Sequence, residues 1–225
     1  MEYLKKAPLP LALERTWECH ILNQYPFNAP VLDLGCGDGI FTNILFKDNL
    51  EYALDPQSQE IEACKKFQRY TSYLQNFGDK IPIDSATINT VVSNSVLEHI
   101  PDLVPVLKEV NRILANNGRF YITVPTNYFD KYSVIYQILS ILNLNSLAEK
   151  YRIFFNNFWK HYHYYSVENW KKIFTDNDFN VIEYKQYCTL AQGVLNDFLV
   201  PFTIISYLQK KILSSLNDIM LYINR

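Results

Sequence analysis

Half of this chain's glycine sits in one turn. Its 225 residues include 6 glycines, where average usage would give roughly 16. Gly35, Gly37 and Gly39 all belong to Asp33-Leu-Gly-Cys-Gly-Asp-Gly39. The apolar run Val31-Leu32-Asp33-Leu34 leads into this turn as a short strand, and Ile40 to Phe46 leaves it with helical spacing. Strand, tight turn and helix in that order let a ligand approach bare backbone, with unpaired N–H donors at the helix start. A dinucleotide fingerprint would need a third glycine at position 40, where Ile40 stands. The pattern is instead G-x-G-x-G, with an acid, Asp33, two residues ahead. A second buried strand, Tyr52 to Leu54, ends in Asp55, 18 residues beyond Gly37. A carboxylate there can accept both hydroxyls of an unphosphorylated ribose.

The rest of the chain repeats the alternation. Residues 1–28 read as a leading helix closed by Pro26 and Pro30, and Ser58 to Tyr70 as a surface helix. Strands are expected near Tyr73-Leu74, at Asn89 to Ser93 and at Arg119 to Val124. Residues 103–114 carry Leu103, Val106, Leu107, Val110, Ile113 and Leu114 on one helical stripe, stopped by Asn116-Asn117-Gly118. Such alternation predicts an α/β fold: a Rossmann-like, doubly wound, mostly parallel sheet with helices on both faces. Ligands of such folds bind beyond the carboxyl ends of the strands.

Composition removes several classes. The chain is 48% hydrophobic with a net charge of −2, so it can bury a core and has no basic surplus for a phosphate backbone. Cys19, Cys36, Cys64 and Cys188 are widely spaced, which argues against a zinc signature or a disulfide scaffold and for a reducing, cytoplasmic setting. No secretory leader is read at the start, and no apolar run reaches the ~20 residues of a membrane span.

Five segments together resemble the class I S-adenosylmethionine-dependent methyltransferases, nearest to the small-molecule branch that includes quinone-biosynthesis enzymes. They are Val31 to Gly39, Leu54-Asp55, Ile81-Pro82, Val96-Leu-Glu-His-Ile-Pro-Asp102 and Ile113-Leu-Ala-Asn-Asn-Gly118, in order over residues 30–125. The resemblance implies that Gly35, Cys36 and Gly37 line the methionine part of the cofactor through backbone, with Asp33 near its ammonium group and Gly39 also among the cofactor-binding residues. It puts Asp55 on the ribose, Pro56 and Gln57 beside the adenine, and Asn76, Phe77 and Gly78 at the adenine edge. Ser93, Asn94 and Ser95 would face the reacting sulfonium. Two positions depart from the family pattern: Phe77 stands where an acid often reads the adenine amino group, and Ile88-Asn89 replaces a Phe-Asp pair. Arg15 either reaches the cofactor carboxylate or pairs with Glu18. His99 either serves as base or substrate ligand, or simply starts the next helix. Glu98-His99 has no further matching ligand in sequence, and no metal is expected.

Residues 126–165 change character, with 12 aromatic residues in 40. This stretch reads as an acceptor-side lid after the fifth strand, with Tyr128, Trp159, His161 and His163 toward a small-molecule or lipid-like acceptor. Residues 166–190 are expected to give a helix capped by Ser166 and a strand from Phe179 to Tyr187. Residues 191–225 form an apolar helical tail suited to the core, a homodimer or a peripheral membrane contact. The whole reads as one domain with residues 29–125 as its cofactor-binding core. Two other activities fit the same fold: nucleic-acid methylation and cofactor binding without catalysis. The first is disfavoured because Asn94 is followed by Ser-Val-Leu, not the Pro-Pro-aromatic run of amino-group-modifying enzymes.

Overall fold

The computed structural model describes Tyr3 and residues 9–200. The order of elements is α1 (Leu9–Leu22), β1 (Val31–Leu34), α2 (Ile40–Leu45), β2 (Leu50–Asp55), α3 (Ser58–Lys65), β3 (Tyr70–Gln75) and β4 (Ile88–Asn94). There follow α4 (Leu103–Ile113), β5 (Leu114–Thr123), α5 (Val134–Ile141), α6 (Asn145–Phe158) and α7 (Val167–Thr175). The five strands make one sheet in the order β3-β2-β1-β4-β5, parallel at every pairing. β1 is central, and the winding reverses between it and β4. That is the crevice where an open α/β sheet binds its ligand.

Strand pleat sorts the apolar side chains into two cores. Val31, Ala53 and Val92 turn to one face and meet Ala12, Cys19 and Leu22 of α1, Leu45 of α2, and Ile61 and Cys64 of α3. Their neighbours Leu32, Leu54 and Val91 turn to the other face and meet the α4 stripe with Trp170 and Phe174 of α7. Alternation on each strand therefore requires a helical layer on both sides, as a doubly wound sheet provides. α4 is the best-determined helix. Its five stripe residues are all buried, and the Asp102 side chain caps it by accepting from the Val104 N–H.

Two local expectations are corrected. The helix does end at Ile113, but through Leu114 turning extended, and Asn117-Gly118 lies inside β5. There Asn117 takes φ 64° and the pairing jumps from Ile88–Leu114 to Thr90–Arg119, so the Asn-Gly pair makes an irregularity in the strand, not a helix cap. The strand expected from Phe179 to Tyr187 joins no ladder among the described residues. Only Phe179 and Val181 of that segment reach the core, while Ile182 and Tyr184 stay exposed. Its alternation has no second face to bury.

Residues 126–165 are indeed a helical insertion. Ser133 caps α5 by accepting from the Tyr136 N–H, and α6 is pinned by buried Asp130. Asn156 donates to Asp130 Oδ2 at 2.7 Å, and Arg152 Nε lies 3.1 Å from Asp130 Oδ1. Ser166 caps α7 as expected. Residues 190–200 are helical; Pro201 and the tail residues to 225, with the tail's proposed packing, lie outside the described residues. No described helix is long and apolar enough to cross a membrane.

Candidate active site

The turn after β1 adopts a backbone that only glycine holds without strain. Gly35, Gly37 and Gly39 have φ of 80°, 51° and 77°. Gly35 and Gly39 are bare for packing, because a Cβ would collide with Val96 and with Cys64 respectively. Gly37 differs: a Cβ there would meet only Glu60 Oε2, at 3.9 Å. The space above it is open to a ligand. Asp55 faces the same turn from the end of β2, accepting from the Gly37 N–H at 3.1 Å and the Gln57 N–H at 2.9 Å. One carboxylate thus fixes both loops at the strand ends and keeps lone pairs for hydroxyl donors. Cys36 is buried, and Gly35 and Cys36 both donate to the Leu54 carbonyl.

Asp33 lies beneath the turn. On β1 it shares the face of Val31, which aims it at α2 and β3, and Thr42 and Tyr70 both donate to its Oδ2. Burial pushes its carboxyl above the usual range, against the pull of these hydroxyls. Any ligand contact would have to come through its other oxygen. Further along the edge, Phe77 is 67% exposed beside Asn76, and Gly78 packs on Leu34 and Val106. Pro56 and Gln57 are exposed at the same end of the sheet.

Beyond β4 the chain is strained where it turns. Ser95 has φ 53°, uncommon for a residue other than glycine and typical of functional turns. Ser93 donates to the Leu34 carbonyl across the crevice, and Asn94 accepts from Thr123. Of its two readings, Arg15 shows the pairing with Glu18. It donates to Glu18 Oε2 and to Ser95 Oγ, each at 2.6 Å, so it pairs with Glu18 while touching the β4 loop. Tyr187 adds a donor to Glu18 Oε1 at 3.0 Å. Burial opposes the Arg15 charge, but Glu18 and Glu14 hold it above its ordinary value. The Arg15–Glu18 pair is one that the sequence offered; Tyr187 is the member it missed, because its contact with Glu18 joins residues 169 apart.

Within the insertion, the two histidines expected to face the acceptor part company. His163 is fully engaged: Nε2 faces the Ile100 carbonyl and Nδ1 the Tyr165 hydroxyl, both at 2.8 Å. His161 instead lies beside His99, ring centroids 5.2 Å apart and the planes tilted by 45°. His99 Nδ1 lies 3.1 Å from the Lys160 carbonyl, which makes that nitrogen the donor and leaves Nε2 bare. Burial, then the neighbouring His99, lowers His161 to about 4. Glu98, weighed in sequence only as half of a Glu98-His99 pair, is buried to 2% exposure, which pushes its carboxyl up to about 8. Tyr128 and Trp159 lie half exposed on the lid. A depression between α1 and residues 185–187, lined by Trp17, His20 and Ile21 among others, shares Tyr187 with the Arg15–Glu18 cluster but contains none of the histidines of the insertion.

Comparison with known proteins agrees with this geometry. A family model described as a methyltransferase domain matches residues 16–184. YrhH of Bacillus subtilis (strain 168), whose name assigns it to the methyltransferases without a substrate, is 28% identical over 129 residues, covering 54% of this chain and 71% of its own. Arsenite methyltransferase of Mus musculus is 25% identical over 114 residues, 42% of this chain but only 30% of that protein. Among solved structures, an S-adenosylmethionine-dependent methyltransferase from Thermotoga maritima aligns with TM-score 0.58 at 16% identity, covering 77% of this chain and 74% of that one. At that identity the likeness speaks for the fold alone. With the family model spanning most of the chain and the crevice built as described, the protein belongs to the class I S-adenosylmethionine-dependent methyltransferases.

Proposed function

We propose that this enzyme methylates a small-molecule or lipid-like acceptor, using S-adenosylmethionine bound across the turn after β1. The observation that carries the cofactor assignment is the open space above Gly37 beside the Asp55 carboxylate. A side chain at position 37 would fill that cradle, and a carboxylate with free lone pairs suits a ribose diol. The cofactor supplies a methyl group on a positively charged sulfur, and the leaving sulfide is neutral. The protein therefore needs no nucleophile of its own. Its residues orient the acceptor, exclude water and, for a hydroxyl acceptor, accept a proton. The bare Nε2 of His99 is the base this reading assigns, contributing about a hundredfold or more.

The acceptor class is supported by the lid. Its half-exposed aromatic rings suit a flat or apolar molecule better than a phosphate backbone. α5 has no buried residue although its sequence, Val-Ile-Tyr-Gln-Ile-Leu-Ser-Ile, is mostly apolar. We assign that helix a contact role, toward a second copy of the chain or a lipid surface.

Calorimetry with S-adenosylhomocysteine tests the cofactor site. Wild-type protein should bind it, and Asp55→Ala should lose about 1–3 kcal/mol, the cost of a charge-assisted hydrogen bond to a buried group. Unchanged affinity in a folded variant would remove Asp55 from the site. Binding without turnover on phenols, quinones and lipid extracts would favour a non-catalytic cofactor-binding protein instead.

A further inference from the structure

Where the lid meets the end of β4, three side chains from distant stretches of chain converge. One candidate ligand atom each from Glu98, His99 and His161 lies within 4.8 Å of the other two. Main-chain bonds create the meeting. The N–H groups of Tyr162 and His163 donate to the Glu98 carbonyl at 2.8 and 3.3 Å, and that of His161 to the Asn156 carbonyl at 2.8 Å. His161 is thereby held over the Glu98-His99 pair, supplying the ligand that sequence inspection did not find.

The hydrogen bonds around the cluster also set which atoms are available. His99 Nδ1 faces a carbonyl and must carry the proton. Asn156 donates through Nδ2 to Asp130 and to the Arg152 carbonyl, so its Oδ1 is an acceptor. His161 Nδ1, 3.3 Å from that oxygen, is then the donor. Both imidazoles are left with a bare Nε2 lone pair. An imidazole whose other nitrogen donates to a carbonyl or amide oxygen is oriented as a metal ligand is. Glu98 completes the set. Its Oε1 lies 3.8 Å from His99 Nε2, and its Oε2 is buried without a hydrogen-bond partner. A buried carboxylate oxygen with no donor is costly, and a cation removes that cost. His163 is excluded because both its nitrogens are already bonded.

We propose that Glu98, His99 and His161 bind a divalent first-row transition-metal ion, through the two Nε2 atoms and the carboxylate, with the remaining positions open to an oxygen ligand. Two nitrogens and one carboxylate suit Zn²⁺, Fe²⁺, Co²⁺ or Mn²⁺ better than Ca²⁺ or Mg²⁺, which favour all-oxygen sets. Bonds of about 2.1 Å put ligand atoms roughly 3–3.5 Å apart. Closing from the present separations takes movement on the order of 1 Å, within reach of side-chain torsions at half-exposed His99. With the ion bound, an acceptor oxygen would be held by the metal and not by His99 Nε2 directly. The site itself stands independently of the methyl-transfer reading.

Cobalt is the probe. Chelator-treated full-length protein, titrated with Co²⁺, should develop visible ligand-field bands that saturate at one ion per chain. Calorimetry with Zn²⁺ should give the same stoichiometry. Separately, His161→Ala and Glu98→Gln should each weaken affinity on the order of a hundredfold, at or above what loss of a supporting contact does. His20→Ala, an exposed histidine elsewhere on α1, should change nothing. Proton NMR of wild type reads the same contact without substitution, since Co²⁺ should shift the His99 and His161 imidazole signals and leave those of His20 in place. A chain that takes up no Co²⁺, or binds it equally well without His161, overturns the proposal. Calorimetry with S-adenosylhomocysteine on the same preparation separates the two claims: its failure would overturn the cofactor reading and leave the metal site intact.

Discussion

Glu14, Arg15 and Glu18 put two carboxylates and one guanidinium at the start of the crevice. Burial, followed by the charge of Glu18, pushes the Glu14 carboxyl up to about 7, with Arg15 opposing. The folded protein therefore holds this proton more tightly than the unfolded chain. Stability from Glu14 is full below about pH 4.5 and is lost as pH rises through 7. Glu14→Gln should be more stable than wild type at pH 8, by about 1–2 kcal/mol after allowing for partial exposure, and equal to it near pH 4. Urea unfolding at the two pH values measures the difference. The same scale shows what sequence could and could not reveal. The glycines and Asp55 announce themselves because backbone freedom and a strand-end acid are local properties. The burial of Asp33 against Tyr70 spans 37 residues, and only the pleat, read from Val31, hints at the direction it faces.

Elements were legible where one stripe has one partner. α4 is read correctly because its five buried positions repeat at helical spacing and Asp102 caps it. The segment after α7 misled for the converse reason. Its alternating residues look like a strand, but Lys185 and Tyr187 tie it to Gln24 and Glu18 of the leading segment, away from any ladder. The insertion was recognisable by aromatic content, and its internal brace was not. Asp130, Arg152 and Asn156 form a buried polar hinge-pin whose members are ordinary surface residues by type. Because that brace and the His163 bonds hold the lid from below, ring substitutions on its outer side should leave the cofactor site alone. Trp159→Ala and Tyr128→Ala are expected to change acceptor KM several-fold while S-adenosylhomocysteine affinity stays within about twofold. Lost cofactor affinity with an unmoved acceptor preference would take the lid off the acceptor side.

At the scale of the molecule, the sheet divides the protein into two separate apolar cores, and neither reaches α5. Ile135 and Ile138 are half exposed and Ile141 is 76% exposed. A surface of that kind on a folded chain marks a contact region. Light scattering should show concentration-dependent self-association that Ile138→Glu with Ile141→Glu abolishes, with the melting temperature unchanged. A monomer at all concentrations that instead sediments with phosphatidylcholine vesicles would transfer the surface to lipid. The two-core plan was foreseeable, since β1, β2 and β4 carry apolar residues on both faces and a helical segment follows each of them. The fate of α5 was not, because an apolar octapeptide looks the same whether its partner is internal or external.

The irregular start of β5 has one more effect. Among the described residues β5 is the last strand of the sheet, so its outer row of amides faces no other strand. Such a margin can recruit a passing chain and seed aggregates. Asn117, held at φ 64°, bends the margin early, and Arg119 sets a charge just past the bend, so the straight part runs only from Arg119 to Thr123. Phe179 then lies against Phe120, ring centroids 5.7 Å apart. The Asn-Gly pair that looked like the end of a helix works here as a guard, keeping an exposed margin too short and too crooked for another molecule to extend.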